Sequence, residues 1–128
     1  MANTLAPAAI NHVMEGSAKA WSNFNGTGTV ATRDSFNQSS LTDNGSADYT
    51  VAFTASLGNT NFCFNGTSSG DNGNYGYTFI QGQTIGQNEF VYATGSIRLA
   101  TGYASATNST ATGVDAHQVN VVVLGDLA

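Results

Sequence analysis

The segment Trp21–Phe53, WSNFNGTGTVATRDSFNQSSLTDNGSADYTVAF, limits the possible folds more than any other part of the chain. In Asp48–Thr54, Tyr49, Val51 and Phe53 alternate with Thr50, Ala52 and Thr54, the period of a strand with one buried face. Just before it, Thr42-Asp43-Asn44-Gly45 carries an Asn-Gly pair, which accepts positive φ at both central positions of a type I′ hairpin turn. That turn would set Leu41 beside the Tyr49 strand. The whole segment reads as three strands and two turns.

The rest of the chain continues in the same idiom. Ala18–Phe24 is expected as the first strand, with Lys19, Trp21 and Asn23 on one face and Ala18, Ala20 and Ser22 on the other; Thr27–Phe36 is the second. Beyond Phe53, Gly58-Asn59 marks a turn, Asn61–Phe64 a short aromatic strand, and Asn65-Gly66 another turn. Polar connections are expected at Thr67–Asn74, Gln81–Asn88 and Thr101–Gly113, a long strand at Phe90–Ala100 with a bulge at Gly95, and a closing strand at Gln118–Leu124. In that last strand Val119, Val121 and Val123 oppose Asn120, Val122 and Leu124, a pattern suited to a central position or a subunit contact. About seven to eight short strands with glycine and asparagine turns predict an all-β domain, an antiparallel β-sandwich or flattened barrel. It would occupy residues 18–128, preceded by a short arm over residues 1–17 in which Leu5, Ile10, Val13 and Met14 are the anchoring candidates.

Composition narrows the function. Only 9% of the residues are charged, against about 25% in an average domain, so the surface must be mostly neutral and polar. The formal net charge is −5 and the only cations are Lys19, Arg33 and Arg98, too few to neutralise several phosphates or hold an anionic membrane. Nucleic-acid binding is not expected. The chain has no run of eighteen apolar residues and no secretory-signal pattern at its start, so membrane insertion is not expected either.

The runs AKAWSNFNGTGTV, RDSFN, and TDNG followed by DYTV and a Phe resemble a domain found at the C-terminal ends of bacteriophage tail fibres and in small phage proteins. The likeness covers Ala18–Phe53. It implies a virion protein and a trimer; the arm is expected to dock onto a sister subunit or onto a tail, adaptor or capsid protein, or else to fold back on its own domain. In that family aliphatic residues often occupy the places of Ser22, Thr32 and Gln38, so these polar side chains are expected to face water or a hydrated subunit contact.

Few residues suggest covalent chemistry. Asp43 and Asp48 flank a turn, where Asp serves its own backbone; a glycosidase pair would need carboxyls held about 5–9 Å apart across a cleft. Asp71-Asn72-Gly73-Asn74 has the flavour of a calcium loop but lacks its later bidentate acid. His12 and His117 lie far apart in sequence, no Gly-X-Ser-X-Gly elbow occurs, and the single Cys63, between Phe62 and Phe64, reads as a packed residue. No catalytic residue, metal or cofactor is expected.

Binding is the better expectation. An aromatic ring stacks on the apolar face of a sugar while polar groups around it fix orientation. Tyr75 and Tyr77 beside the Thr67–Asn74 loop, Tyr103 in the third loop, and the polar Asp71, Asn72 and Asn74 are the candidates for a host-surface glycan or protein. The expected function is a small trimeric tail-fibre or receptor-binding tip on the virion. The alternatives are a head decoration protein bridging capsomers and, weakest, an envelope polysaccharide-degrading enzyme.

Overall fold

A computed structural model of the protein describes residues 16–69, 77–82, 84–85, 89–90, 92–104 and 111–128. Twelve strands lie among them: β1 (Ala20–Asn25), β2 (Ala31–Phe36), β3 (Gln38–Gly45), β4 (Asp48–Phe53), β5 (Cys63–Ser68), β6 (Tyr77–Gly82), β7 (Thr84–Ile85), β8 (Glu89–Phe90), β9 (Tyr92–Ala93), β10 (Ser96–Ala104), β11 (Ala111–Gly113) and β12 (Val119–Leu124). From Ser17 onward the described residues contain no helix. A four-stranded sheet runs β2-β1-β12-β5; a six-stranded sheet runs β11-β10-β4-β3, with β6 and β9 also on β10; β7 and β8 form a small hairpin of their own. Every pairing is antiparallel.

The two larger sheets face each other across an apolar core. From the four-stranded sheet come Ala20, Phe24, Val119, Val121 and Val123, and from the other Tyr49, Val51, Phe53, Ile97 and Leu99, all buried. Phe24 and Tyr49 meet edge to face with centroids 5.1 Å apart, and a second aromatic group joins Phe53, Phe62, Tyr92 and Phe64. The alternation read in Asp48–Thr54 thus has its inner face where the sequence puts it. The sandwich is the form this all-β chain takes, and the closing strand is central, between β1 and β5.

The segment Trp21–Phe53 holds four strands rather than three, because the chain changes sheets at Asn37. This residue adopts φ 57°, a left-handed conformation that Asn tolerates better than most side chains. Its amide nitrogen donates to the carbonyls of Lys19 and Ala55 at 2.9 and 3.0 Å, and its amide oxygen accepts from Ala55 N at 2.7 Å. The corner is fastened by one side chain.

Tertiary hydrogen bonds displace the next turn. The β3–β4 hairpin turns at Ser46-Ala47, and Asn44-Gly45 lies in β3, with an irregularity between Asp43 and Gly45. Ala47 takes φ 62°, costly for a residue with a Cβ. It is held there because its N–H donates to Asp115 Oδ1 at 2.6 Å and its carbonyl accepts from Thr101 N at 3.0 Å.

Other boundaries move for similar reasons. Asn65-Gly66 is no turn: it lies in mid-β5, paired with Val122 and Val121, and a Cβ on Gly66 would sit 2.5 Å from Asn120 O and 2.8 Å from Ile80 Cδ1. Thr67 and Ser68 belong to the same strand instead of a loop. Gly95 makes a turn, not a bulge, since Tyr92 pairs with Ile97 and Ala93 with Ser96. Thr84–Ile85 forms β7 within the connection expected at Gln81–Asn88, and Thr101–Ala104 and Ala111–Gly113 are strand. Short strands pairing with both halves of β10 raise the count above seven or eight.

Two burial expectations are corrected. Cys63 is exposed, because its position in β5 points outward while Phe64 takes the inner side. Ser22 faces the core at 2% exposure, between Ala20 and Phe24, with its hydroxyl unpaired. Thr32 is exposed as expected, whereas Gln38 is half-buried, its amide nitrogen donating to Thr32 Oγ1 at 2.6 Å and its oxygen enclosed without a partner.

Candidate functional site

Side chains of β1, β12 and β5 that do not enter the core make up the outer face of the four-stranded sheet. Register sets them in two rows. One runs Phe36, Trp21, Val122, Asn65; the other runs Asp34, Asn23, Asn120, Thr67. Successive rows on one face lie two residues apart along each strand, about 6.8 Å. The first row is largely apolar: Trp21 and Val122 are half-buried and Phe36 at its edge is 52% exposed.

The second row is a hydrogen-bonded ladder. Asn23 Nδ2 donates to Asn120 Oδ1 at 2.5 Å, and Asn120 Nδ2 donates to Thr67 Oγ1 at 3.1 Å. Each bond crosses one strand spacing, so the ladder covers about 9.6 Å. It ends with the Asn23 carbonyl oxygen at one side and the Thr67 hydroxyl proton at the other. Asp34, at the β2 end of the row, is turned to its own backbone and accepts from Ser35 N at 2.8 Å.

Between and over these rows lies a groove of about 420 Å³ lined by Trp21, Asn23, Asn65, Thr67, Asn120 and Val122 together with the backbone of Ser22, Gly66 and Val121. Its size falls within the range of small-molecule sites, and its mixture of apolar wall and a few convergent polar groups is typical of them. Among the described residues, no ionisable side chain lines it.

The outer face of the six-stranded sheet is built otherwise. Arg98 donates from Nε to Asp48 Oδ1 at 2.8 Å and from its terminal nitrogen to Asp48 Oδ2. Asn44 Nδ2 donates to Thr50 Oγ1 at 2.9 Å and to Asp48 Oδ1 at 3.3 Å. The guanidinium hydrogen bonds hold the Asp48 carboxyl below its ordinary value of 3.8, against a smaller opposing effect of burial. Asp43 serves the irregularity at the end of β3 rather than a turn, accepting from Gly45 N at 3.0 Å, and Asp48 is tied across the sheet to β10. The core holds one further polar cluster: the Tyr49 hydroxyl shares its proton between Gly26 O at 2.9 Å and Asp115 Oδ1 at 3.0 Å. Burial and the neighbouring Asp115 push that phenol well above its usual range.

The sequence candidates fall elsewhere. Asp71, Asn72, Asn74 and Tyr75 lie outside the described residues, as do Leu5, Ile10, Val13 and Met14 of the arm. Tyr77 opens β6 opposite Ala104, and its side chain is likewise outside the description. Tyr103 is not in a loop: it is a half-buried residue of β10, flanked by Thr78 of β6 and Thr112 of β11. The groove residues were visible only as parity, Trp21 with Asn23 and Asn120 with Val122; what places them side by side is a strand pairing between the two ends of the domain.

Compared with models of protein families, with curated proteins and with solved structures, the chain finds no match in any of the three.

Proposed function

We propose that the chain is a bacteriophage virion surface protein, a small trimeric tail-fibre or receptor-binding tip that attaches the particle to its host. The observation that carries the attachment reading is the uncharged groove on the outer face of the four-stranded sheet, an apolar row beside an amide ladder on the side of the sheet away from the apolar core. The phage assignment rests on the likeness of Ala18–Phe53 to tail-fibre domains, and the trimer on the same likeness. Low charge suits a surface that meets neighbouring subunits and neutral polymers, since little desolvation of ions is required.

A head decoration protein would use a similar scaffold without needing a ligand groove, so the groove favours attachment. Labelling of intact particles tests the choice. Few copies at the tail tip, with a trimer in light scattering of the purified chain, is the expected result; dense labelling over the whole shell would overturn it.

A further inference from the structure

We infer that the groove over β1, β12 and β5 is a binding site for a neutral glycan, with Trp21 and Val122 meeting the C–H face of a sugar ring and Asn23, Asn120, Thr67 and Asn65 holding its hydroxyls. This rests on the host-attachment reading above and names the class of ligand and the residues. Charge is the first argument. The chain has three cations, and each is engaged elsewhere: Lys19 Nζ donates to Ser17 Oγ at 3.0 Å, Arg33 donates to the carbonyls of His117 and Phe24 at 2.6 and 3.3 Å, and Arg98 holds Asp48. None lines the groove, so a phosphate, sulfate or uronate would be desolvated there without a counter-charge. An uncharged ligand complements an uncharged lining.

Hydrogen-bond polarity is the second. The ladder runs in one direction, Asn23 to Asn120 to Thr67, leaving an acceptor at its β1 end and a hydroxyl donor at its β5 end. Asn65, one row away and exposed, offers both functions. Sugar hydroxyls each donate and accept, so adjacent hydroxyls can satisfy such a mixed array. A peptide adding as a strand would need open backbone groups at a sheet edge; β1 and β12 have neighbours on both sides, and such a peptide would lie beside β5, the edge of the described sheet, not over the two rows. The third argument is rigidity. Two of the three floor strands, β1 and β12, are paired on both sides, and Gly66 lets Ile80 and the Asn120 carbonyl approach β5 too closely for any Cβ, so little ordering is required on binding.

The experiment uses the full chain and its Trp21→Ala, Asn120→Ala and Thr42→Ala variants, each first checked for native thermal unfolding. They are tested against a panel of neutral and uronate-bearing oligosaccharides and against host cells with and without periodate or protease treatment. The expected result is saturable binding to a neutral member of the panel, weakened about tenfold or more by Trp21→Ala, reduced by Asn120→Ala and unchanged by Thr42→Ala, with cell binding lost after periodate. Cell binding that resists periodate and falls with protease overturns the glycan assignment while leaving host attachment in place. So does cell binding equal in all four proteins, which would move the site off this groove. Absence of binding to any cell or sugar overturns the inference and the attachment reading together.

Discussion

The two outer faces of the sandwich handle polar groups in opposite ways. On the six-stranded sheet, Arg98, Asp48, Asn44 and Thr50 form a network centred on an ion pair. On the four-stranded sheet, Asn23, Asn120 and Thr67 form a chain with both ends open beside Trp21. A network that includes a poorly exposed ion pair fixes structure; a neutral one beside an aromatic ring costs little to leave hydrated and is available to a ligand. On the reading proposed above, the difference separates the face that holds the fold from the face offered to a ligand.

If that division is right, cutting the ion-paired network should cost the most. Asp48→Ala leaves the Arg98 guanidinium without its carboxylate and should lower unfolding free energy by about 3 kcal/mol, read from urea denaturation; a change below about 0.5 kcal/mol would erase the distinction. Gly66→Ala should cost about 2 kcal/mol by overpacking, because the new methyl meets backbone at Asn120 O and the branched side chain of Ile80. A tolerated alanine would mean that the groove floor is softer than the close packing around Gly66 implies.

Titration sharpens the comparison further. The Asp48 carboxyl is held below 3.8 in the folded chain, so its stabilisation is complete above that pH and is lost as the pH falls through the lower folded value. Tyr49, raised from an ordinary 10.0, contributes fully below pH 10 and loses that contribution as the pH rises through its higher folded value. Urea midpoints measured across pH should fall at both extremes, and Asp48→Asn should flatten only the acid limb. The smallest effect belongs to the open face: Asn120→Ala should change stability by only about 0.5 kcal/mol, since its partners can turn to water.

Local chemistry made part of this legible in the sequence. Alternation gave the inner face of β4, because Tyr49, Val51 and Phe53 are large and unambiguous, and the apolar residues on both faces of β12 pointed to a central position or a subunit contact, of which the fold shows the central position. Turn chemistry misled where tertiary contacts override it. Ala47 turns the hairpin because Asp115 and Thr101 hold it there, and Asn65-Gly66 stays extended because β12 and β6 press on it. Ser22, read as facing water through the family likeness, follows the parity of Ala20 and Phe24 into the core. The groove could not be read at all from local pattern. Asn23 and Asn120 meet only because the first and last strands of the sandwich pair, and no sequence-adjacent residue reports that.

Trp21 is the only tryptophan in the chain and forms a wall of the groove, so its emission reports on the open face alone. Titrating the protein with host envelope polysaccharide should give a saturable blue shift and protect Trp21 from acrylamide quenching, while the unfolding midpoint of Asp48→Ala stays low by the same margin with or without ligand. Emission and quenching that do not change at concentrations where the protein is shown to be bound to the envelope would contradict the assignment of this face to recognition.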